Sequence, residues 1–137
     1  MFIRRFDQRE TQEVVHLWEL CGLTRPWNDP LQDLDRAMRG NESDVLVGEQ
    51  DGRVVGTVMV GHDGHRGWMY YVAVHPEMQR LGFGAKLVEA AESWLKDKGV
   101  PKSMLMIRDS NLPVTEFYTC QGYKPSGVVV MEKWLNK

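Results

Sequence analysis

The sequence has few of the features that mark secreted, disulfide-rich or membrane proteins. It contains only two cysteines in 137 residues, Cys21 and Cys120, which are far apart and form no CxxC pair. Such isolated thiols are typical of buried free cysteines in a reducing compartment. No apolar run approaches the roughly 18 residues of a membrane helix, and the N-terminal residues MFIRRFDQRE lack the apolar segment of a signal peptide. We therefore expect a cytoplasmic protein without a membrane partner.

An excess of charge of one sign is also missing. The formal net charge is −2, and basic and acidic residues are interleaved along the chain. A nucleic-acid surface needs clustered positive charge, so no nucleic-acid partner is expected. His62 and His65 have a spacing that could suggest a metal site, but no further His, Cys or carboxylate cluster completes one. With 42% hydrophobic and 26% charged residues, the chain fits one globular domain, residues 1–137, with no metal.

The most informative stretch runs from Tyr70 to Leu95. Residues Tyr70 to His75 are aromatic, β-branched or small, which predicts a strand, and Pro76 ends it because proline cannot donate to a strand ladder. From Gly84 onward, apolar residues recur at helical spacing and predict an amphipathic helix that ends at Gly99. The apolar positions of this helix are Leu87, Val88, Ala91, Trp94 and Leu95.

The loop between this strand and this helix has the features of an anion site. Gly82 and Gly84 let the backbone approach a ligand closely, and the first N–H groups of the helix have no intrahelical acceptor. A dinucleotide fingerprint needs a small residue where Leu87 stands, and a P-loop needs Gly-Lys followed by Ser or Thr, so neither motif is present. The alternative is that both glycines only turn the chain into the helix.

The remaining elements predict a mixed α/β (α+β) fold with a mostly antiparallel sheet of about six to seven strands and four helices. Asp7 with Glu10, and Asp29 with Pro30, are typical helix starts. Asp51-Gly52 between two β-branched runs predicts a tight hairpin. The expected order is β-α-α-β-β-β-α-β-α-β. The predicted strands are Phe2 to Phe6, Asp44 to Gln50, Arg53 to Gly61, Trp68 to His75, Lys102 to Ile107, parallel to 70–75, and Val128 to Trp134; the last helix is Leu112 to Gln121.

The central stretch resembles the signature of the GNAT superfamily of N-acetyltransferases, in which V-x-P leads into Q/R-x-x-G-x-G/A and a helix. Here these are Val74-His75-Pro76, Gln79, Gly82 and Gly84. The predicted element order resembles that superfamily over nearly the whole chain. The resemblance implies the GNAT fold with a splayed parallel pair, strands 70–75 and 102–107, and acetyl-CoA as co-substrate with its pyrophosphate on the loop amides. It implies these cofactor-binding residues: Val72, Ala73, Val74, Gln79, Arg80, Leu81, Gly82, Phe83, Gly84 and Asn111.

A second motif lies in the last predicted helix. Asn111, Phe117-Tyr118 and Gly122-Tyr123 resemble the superfamily pattern N-x(5)-F-Y-x-x-x-G-F/Y. The resemblance implies that Tyr118 protonates the departing CoA thiolate and that Asn111 contacts the pantetheine arm. A phenol titrates near ~10 and so keeps its proton at neutral pH. The alternative is that Tyr118, like Phe117, only packs in the core.

The sequence does not single out a general base. By the same resemblance, ribosomal-protein N-terminal acetyltransferases carry a glutamate where this chain has Met106. Other candidates for the general base are Glu49, Asp63, His65, His75 and Asp29. For each of them, a surface or structural role is more common than a catalytic one.

The acceptor site is expected in the early helical region and beside the central strand. Residues 25–30 and 63–67 resemble segments of a small bacterial acetyltransferase of this superfamily, and Arg25, Trp27 and Asp29 could grip an amine that carries a carboxylate. Tyr70 is a further substrate candidate. The alternative is helix capping by Asp29 and packing by Trp27. The expected acceptor is a small-molecule amine or a peptide N-terminus, and a homodimer is one assembly that the sequence allows.

Two functions follow from these patterns. The first is transfer of acetyl from acetyl-CoA to a primary amine by direct attack in a ternary complex, with backbone N–H groups of Tyr71 to Val74 stabilising the oxyanion. The second is a catalytically inactive CoA-binding regulatory or partner-binding module of the same fold. A covalent route through Cys120 is not expected, because a thiol buried beside a core is usually inert.

Overall fold

The computed structural model describes residues 1–136. Residue contacts divide the chain into two compact units, Met1–Met106 and Ile107–Lys137. The first unit contains strands β1 (Phe2–Arg5), β2 (Ser43–Gln50), β3 (Arg53–His62), β4 (Gly67–Val74) and β5 (Ser103–Met104) and helices α1 (Thr11–Leu20), α2 (Pro30–Met38) and α3 (Phe83–Asp97). The second unit contains helix α4 (Leu112–Cys120). None of the helices within the described residues is long and apolar enough to cross a membrane.

The helix ends lie where the capping signals predict them. Asp7 and Glu10 form a reciprocal capping box at the turn of 3₁₀ helix, Gln8–Glu10, that leads into α1. Asp29 caps α2, with its carboxylate accepting from Leu31 N at 3.0 Å. Gly99 follows α3 with φ +74°, a left-handed conformation that favours glycine. These local signals are confirmed because capping depends on residues only a few positions apart.

The five strands form one sheet in the order β1-β2-β3-β4-β5. The first four are antiparallel neighbours, and Asp51 and Gly52 join β2 to β3 with positive φ at both positions, as a type I′ hairpin requires. β5 is parallel to β4, as predicted for the strand after the crossover helix. Its pairs are Gly67 with Ser103 and Trp68 with Met104, so the pairing ends before the range 70–75 begins.

The predicted six to seven strands are more than the structure contains, since the sheet within residues 1–136 has five. The predicted strand Lys102 to Ile107 shortens to Ser103–Met104, and residues 128–134 form no strand. The run Val128 to Met131 has a strand-like composition, but its apolar side chains are exposed, with Met131 at 90%. Strand preference expresses packing on a half-buried pleated surface, and a segment without that surface does not gain from it.

Helices cover both faces of the sheet in the first unit. α1 and α2 pack on one face around a buried cluster that includes Trp18 and Leu34. α3 packs on the other face. A Cβ atom built at Gly56 would meet Leu87 of α3, whereas the next residue, Thr57, bonds Trp18 of α1. Successive residues of a strand face opposite sides of the sheet, so α3 and α1 lie on opposite faces. This packing brings the start of α3 to the end of β4.

Gly56 sets how closely α3 approaches the sheet. A Cβ atom at this position would lie 2.7 Å from Leu87 Cδ1 and 3.1 Å from the Ala73 carbonyl oxygen. Gly56→Ala is therefore expected to lower the free energy of unfolding by about 1–3 kcal/mol, the usual cost of overpacking. Urea unfolding measures this change.

The double variant Gly56→Ala/Leu87→Ala provides the control. Truncating Leu87 removes the side chain that the new methyl group meets, so the double variant should lose less stability than the sum of the two single changes. Strictly additive losses would show that the close approach is not what makes alanine costly at position 56.

Candidate functional site

The first component of the site is a bulge in β4. Thr57 pairs with Ala73 and Met59 pairs with Tyr70, so Tyr71 and Val72 together lie opposite Val58. Tyr71 adopts φ +51°, a conformation that aromatic side chains rarely take. Such strain persists only where the surroundings enforce it, and it occurs preferentially at functional sites.

Three contacts hold Tyr71 in this conformation. Its ring stacks on Trp18 with centroids 3.7 Å apart and planes 14° from parallel. Its carbonyl oxygen accepts from Thr57 Oγ1 at 2.8 Å, and that hydroxyl accepts from Trp18 Nε1 at 2.9 Å. Its own hydroxyl donates to Asp33 Oδ2 at 2.7 Å. Burial and the hydrogen bond to Asp33 raise the pKa of Tyr71 far above its ordinary value, so the phenol is a fixed donor.

The bulge lies on an edge of β4 that can receive a ligand. His75 N donates to Val55 O of β3 at 2.7 Å, so the backbone N–H groups of His75 and Ala73 face β3. Backbone N–H groups alternate in direction along a strand, and those of Val72 and Val74 therefore face the opposite edge. Within residues 1–136, β5 pairs with that edge only at Gly67 and Trp68. An extended ligand arm could therefore add alongside β4 as an extra strand would.

The second component is the loop that leads from β4 into α3. Arg80 and Gly82 both have positive φ, +66° and +81°, and Gly82 is the N-cap of α3 without a side-chain cap. The first turn of α3 contains no acidic residue. Its leading N–H groups, which begin at Phe83, have no acceptor within the helix and lie at the positive end of the helix dipole. This is the arrangement that binds phosphate groups.

Three predicted cofactor residues take roles that the sequence did not specify. Gln79 turns its side chain back to β4, with Nε2 donating to the Val74 carbonyl oxygen at 3.1 Å. The Phe83 side chain is buried, so it anchors the start of α3 in the core and offers a ligand only its backbone. Leu81 is exposed at the tip of the loop.

A separate group of candidate residues lies in the second unit, at the start of α4. Asn111 caps this helix, with Oδ1 accepting from Val114 N at 3.3 Å, while its carbonyl oxygen accepts from Thr115 Oγ1 at 3.1 Å. The cap uses only the amide oxygen of Asn111. The amide NH₂ group is the part that could contact a pantetheine arm.

Tyr118 is buried within an aromatic group of the second unit. Its ring meets Phe117 and Tyr123 edge to face, with centroids 4.9 Å and 5.8 Å apart. Burial raises the pKa of Tyr118 to about 12, so the phenol keeps its proton throughout the neutral and moderately alkaline range. Packing and proton donation are thus compatible in one side chain.

The candidates for a general base all take part in structural contacts. Glu49 accepts from Arg4 at 2.9 Å and His75 Nδ1 accepts from Glu77 N at 3.1 Å. Asp63 accepts from the Arg66 and His65 backbone amides, which hold its pKa below its ordinary value and make it a weaker base. His65 approaches Arg66, Asp29 caps α2, and Met106 is exposed.

The substrate candidates lie at the surface. Trp27 and Tyr70 are exposed, and Arg25 donates to the carbonyl oxygens of Gly22 at 2.7 Å and Thr24 at 2.9 Å. Partial burial and the nearby charge of Asp63 raise the pKa of Tyr70. Within the described residues, no group of three or more His, Cys, Asp or Glu side chains could hold a metal ion.

Sequence reasoning missed Thr57 and Asp33 as partners of Tyr71. Thr57 is fully buried in β3, and Asp33 lies on α2 with its second oxygen accepting from Arg36 at 3.0 Å. Thr57 sits within a β-branched run that predicts only a strand, and Asp33 reads as an ordinary residue of a helix first turn. Their contacts with Tyr71 bridge parts of the chain that no local pattern connects.

Comparison with known proteins agrees with this geometry. Residues 11–123 match the acetyltransferase (GNAT) family. Acetyltransferase YE1169 of Yersinia enterocolitica serotype O:8 / biotype 1B is 41% identical over 135 residues, which cover 98% of this chain and 96% of that protein. AAC(6′)-Iy in complex with the bisubstrate analogue CoA-S-monomethyl-acetylneamine has a similar fold, with a TM-score of 0.83, 14% identity and 97% of each chain covered. A transcriptional regulator from Bacillus halodurans C-125 is similar with a TM-score of 0.84, 18% identity, and 97% of this chain and 99% of that one covered. The family match and the 41% identical relative together show that this chain belongs to the GNAT family and is an acetyltransferase.

Proposed function

We propose that this acetyltransferase transfers the acetyl group of acetyl-CoA to a primary amine by direct attack in a ternary complex. The observation that carries the proposal is the succession of a strained bulge, a strand edge that no strand of residues 1–136 pairs beyond Trp68, and a helix N-terminus without a side-chain cap. The edge suits the extended pantetheine arm, and the helix N-terminus suits the pyrophosphate. The fold shared with AAC(6′)-Iy, a protein solved with a CoA-containing analogue, supports the same cofactor.

In the proposed reaction, acetyl-CoA supplies a thioester whose carbonyl carbon is attacked by the amine nitrogen, so that a C–N bond forms and the C–S bond breaks. The N–H groups of Val72 and Val74 donate to the carbonyl oxygen as negative charge develops on it. Tyr118 donates its proton to the departing sulfur, and its raised pKa keeps that proton available. The protonated amine loses one proton to a base or a water chain before the attack. After the C–N bond forms, the nitrogen loses a second proton, and a proton from solvent restores the Tyr118 phenol.

The acceptor is proposed to be a small-molecule amine or a peptide N-terminus that contacts Arg25, Trp27, Asp29 and Tyr70. Trp27 and Tyr70 present exposed aromatic surface. Trp27 lies in the loop between α1 and α2, and loops of this kind often determine specificity. Residues 25–30 and 63–67 resemble those of the small bacterial acetyltransferase YpeA, and a particular closeness to that protein stays a prediction. A bound water is the simplest base, since Glu49, Asp63, His75 and Asp29 already take part in structural contacts.

One observation favours a second function. The candidates for a general base take part in structural contacts, and a protein without a free base would not deprotonate the acceptor amine. Such a protein could still bind CoA and regulate or recruit a partner without turnover. The similarity in fold to a chain described as a transcriptional regulator is compatible with such a role. Both functions use the loop from Gln79 to Gly84, here called the cofactor loop, to bind CoA, and they differ only in catalysis.

Thiol release from acetyl-CoA across a panel of amines tests the proposal. The panel should contain aminoglycosides, polyamines, amino acids and short peptides with free N-termini. Transfer predicts that free thiol and acetylated amine appear in equal amounts with at least one acceptor. If no amine in the panel is acetylated, the transfer proposal is contradicted.

A thermal shift identifies the cofactor independently of turnover. Acetyl-CoA should raise the unfolding temperature because it binds only the folded state, and at a hundred times its Kd the stabilisation is about 2.7 kcal/mol. NAD and ATP serve as controls, since the loop lacks both of their motifs. Binding of acetyl-CoA without acetylation of any amine would favour the regulatory module. A shift with NAD and none with acetyl-CoA would exclude both functions.

A further inference from the structure

We propose that the hydrogen bond from the Tyr71 hydroxyl to Asp33 is a positioning contact that ties helix α2 to the β4 bulge and keeps the bulge aligned for acetyl transfer. Neither residue is placed against the reacting atoms, so both are positioning residues. The inference rests on the proposed function, because the alignment matters only if the N–H groups of Val72 and Val74 face a reacting carbonyl. It adds to that function a named device that controls the donors.

The need for such a contact follows from the conformation of Tyr71. A φ of +51° is unfavourable for an aromatic residue, so the bulge returns to an ordinary extended backbone unless other contacts oppose it. Val72 follows directly in the chain, and any relaxation at Tyr71 rotates the next peptide group. The direction of the Val72 N–H therefore depends on what holds the Tyr71 side chain.

The three contacts of Tyr71 have different roles. The Trp18 ring and the Thr57 hydroxyl lie in the buried core, where they fix the plane of the Tyr71 ring and its carbonyl oxygen. The contact with Asp33 is the one that fixes the far end of the side chain. A ring that is held by stacking can still slide in its own plane, and a hydrogen bond at its tip stops that movement.

Asp33 is well placed to act as an anchor. Its carboxylate is mostly shielded, with 21% of the side chain exposed, and its other oxygen accepts from Arg36 at 3.0 Å. Both oxygens therefore have defined partners, which restricts the carboxylate to one orientation. Charged acceptors make stronger hydrogen bonds than neutral ones. An anchored carboxylate at this position connects the bulge to a rigid helix.

The contact also joins two parts of the proposed site. α2 begins at Pro30, directly after the segment 25–29 that carries three of the residues proposed to contact the acceptor, and Asp29 is the N-cap of this helix. The bulge carries the proposed oxyanion donors. Through Asp33 and Tyr71, the acceptor side and the oxyanion side of the site are held by one hydrogen bond.

The kinetic consequence is specific. Donors aimed at the oxyanion act more strongly on the transition state than on bound thioester, so their misalignment lowers kcat and leaves cofactor affinity nearly unchanged. Tyr71→Phe keeps the ring and its stacking and removes only the hydroxyl. We expect this variant to lower kcat roughly tenfold, less than the loss of a whole oxyanion donor, with a KM for acetyl-CoA within about twofold of the parent value.

Variants of Asp33 provide the matched comparison. Asp33→Ala should reproduce the Tyr71→Phe loss, whereas Asp33→Asn retains an oxygen that can accept a hydrogen bond from the Tyr71 hydroxyl and should recover most of kcat. The double variant Tyr71→Phe/Asp33→Ala should be no slower than the slower single variant, because both changes break one contact. Asp35→Ala is the control on the same helix: Asp35 is 63% exposed and pairs with Arg39, and its loss should leave kcat unchanged.

Hydrogen exchange of the backbone amides of 71–74 gives a readout that needs no substrate. Loss of the contact should speed exchange there in Tyr71→Phe and Asp33→Ala, and not in Asp35→Ala. If the parent acetylates an amine and both variants keep its kcat, the inference is overturned while the proposed function stands.

If the parent acetylates no amine, the proposed function fails, and hydrogen exchange alone then tests the contact. Unchanged exchange at 71–74 in both variants would show that the hydrogen bond does not anchor the bulge. Equal losses of cofactor affinity and kcat, with independent effects in the double variant, would indicate general destabilisation and also overturn it.

Discussion

Tyr118→Phe is expected to lower turnover by roughly a hundredfold or more while leaving acetyl-CoA affinity unchanged, because it removes the proton that the proposed mechanism gives to the leaving thiolate. Phenylalanine fills the same space, so the edge-to-face contacts with Phe117 and Tyr123 are kept. Steady-state kinetics with an acceptor from the amine panel gives kcat, and calorimetry gives the Kd for acetyl-CoA.

Tyr123→Phe is the matched control for this experiment. Tyr123 belongs to the same aromatic group and also carries a phenol, but the proposed mechanism gives its hydroxyl no proton to transfer. We expect its kcat to stay within about twofold of the parent value. A Tyr118→Phe variant as fast as the parent would contradict the general-acid role, provided that product release does not limit the parent enzyme.

The pH dependence follows from the raised pKa of Tyr118. Because burial raises this pKa from 10.0 to about 12, the folded state holds the phenolic proton more tightly than the unfolded chain does. The contribution of this group to stability is therefore fully present below pH ~10 and is lost as the pH rises toward ~12. Any alkaline decline of kcat below pH ~11 should then persist in a Tyr118→Phe variant with residual activity.

Gly82→Val is expected to weaken acetyl-CoA binding by roughly a hundredfold or more, equivalent to about 2.7 kcal/mol. Gly82 has φ +81°, which a β-branched residue strongly disfavours, and valine would force the backbone to rotate at the N-cap of α3. The N–H groups of the first turn would then no longer converge on one phosphate position. Calorimetric titration with acetyl-CoA measures the effect directly.

Gly99 at the other end of α3 offers a control with nearly the same backbone geometry. Its φ is +74°, and a Cβ atom would meet no other atom within 4 Å at either glycine. Gly99→Val should therefore cost similar stability and keep cofactor affinity, since Gly99 lies outside the cofactor loop. Comparable Kd values for Gly82→Val, Gly99→Val and the parent would show that the loop amides do not hold the pyrophosphate.

The parts of the fold that the sequence predicted are those encoded within a few residues. Asp51-Gly52 specifies its hairpin because type I′ geometry requires φ > 0 at two consecutive positions. Asp29 followed by Pro30 specifies the start of α2 because the carboxylate caps the helix and proline is preset for its first turn. The loop from Gln79 to Gly84 was predicted in the same way, from glycines between a strand and a helix, and its role in cofactor binding stays a prediction.

The parts that the sequence did not reveal depend on distant partners. Residues 128–134 have the composition of a strand, but a strand needs a neighbouring ladder, which composition does not supply. Tyr71 reads as an ordinary strand residue, and its bulge follows from the offset between Thr57 and Met59 on β3. The contact with Asp33 links residues 38 positions apart, and no periodicity along the chain indicates it.

The order of the strands in the sheet has a consequence for folding kinetics. Every strand pairs only with its neighbours in sequence, so β2, β3 and β4 can assemble by closing short loops at low entropic cost. Strand pairs that are close in sequence form faster than pairs that join distant segments. We expect this three-stranded meander to form the folding nucleus, with β5 joining only after α3 has formed the crossover. Since the meander includes Thr57 and Tyr71, the backbone strain at the bulge enters early, and later packing by α1 and α2 must complete the contacts that stabilise it.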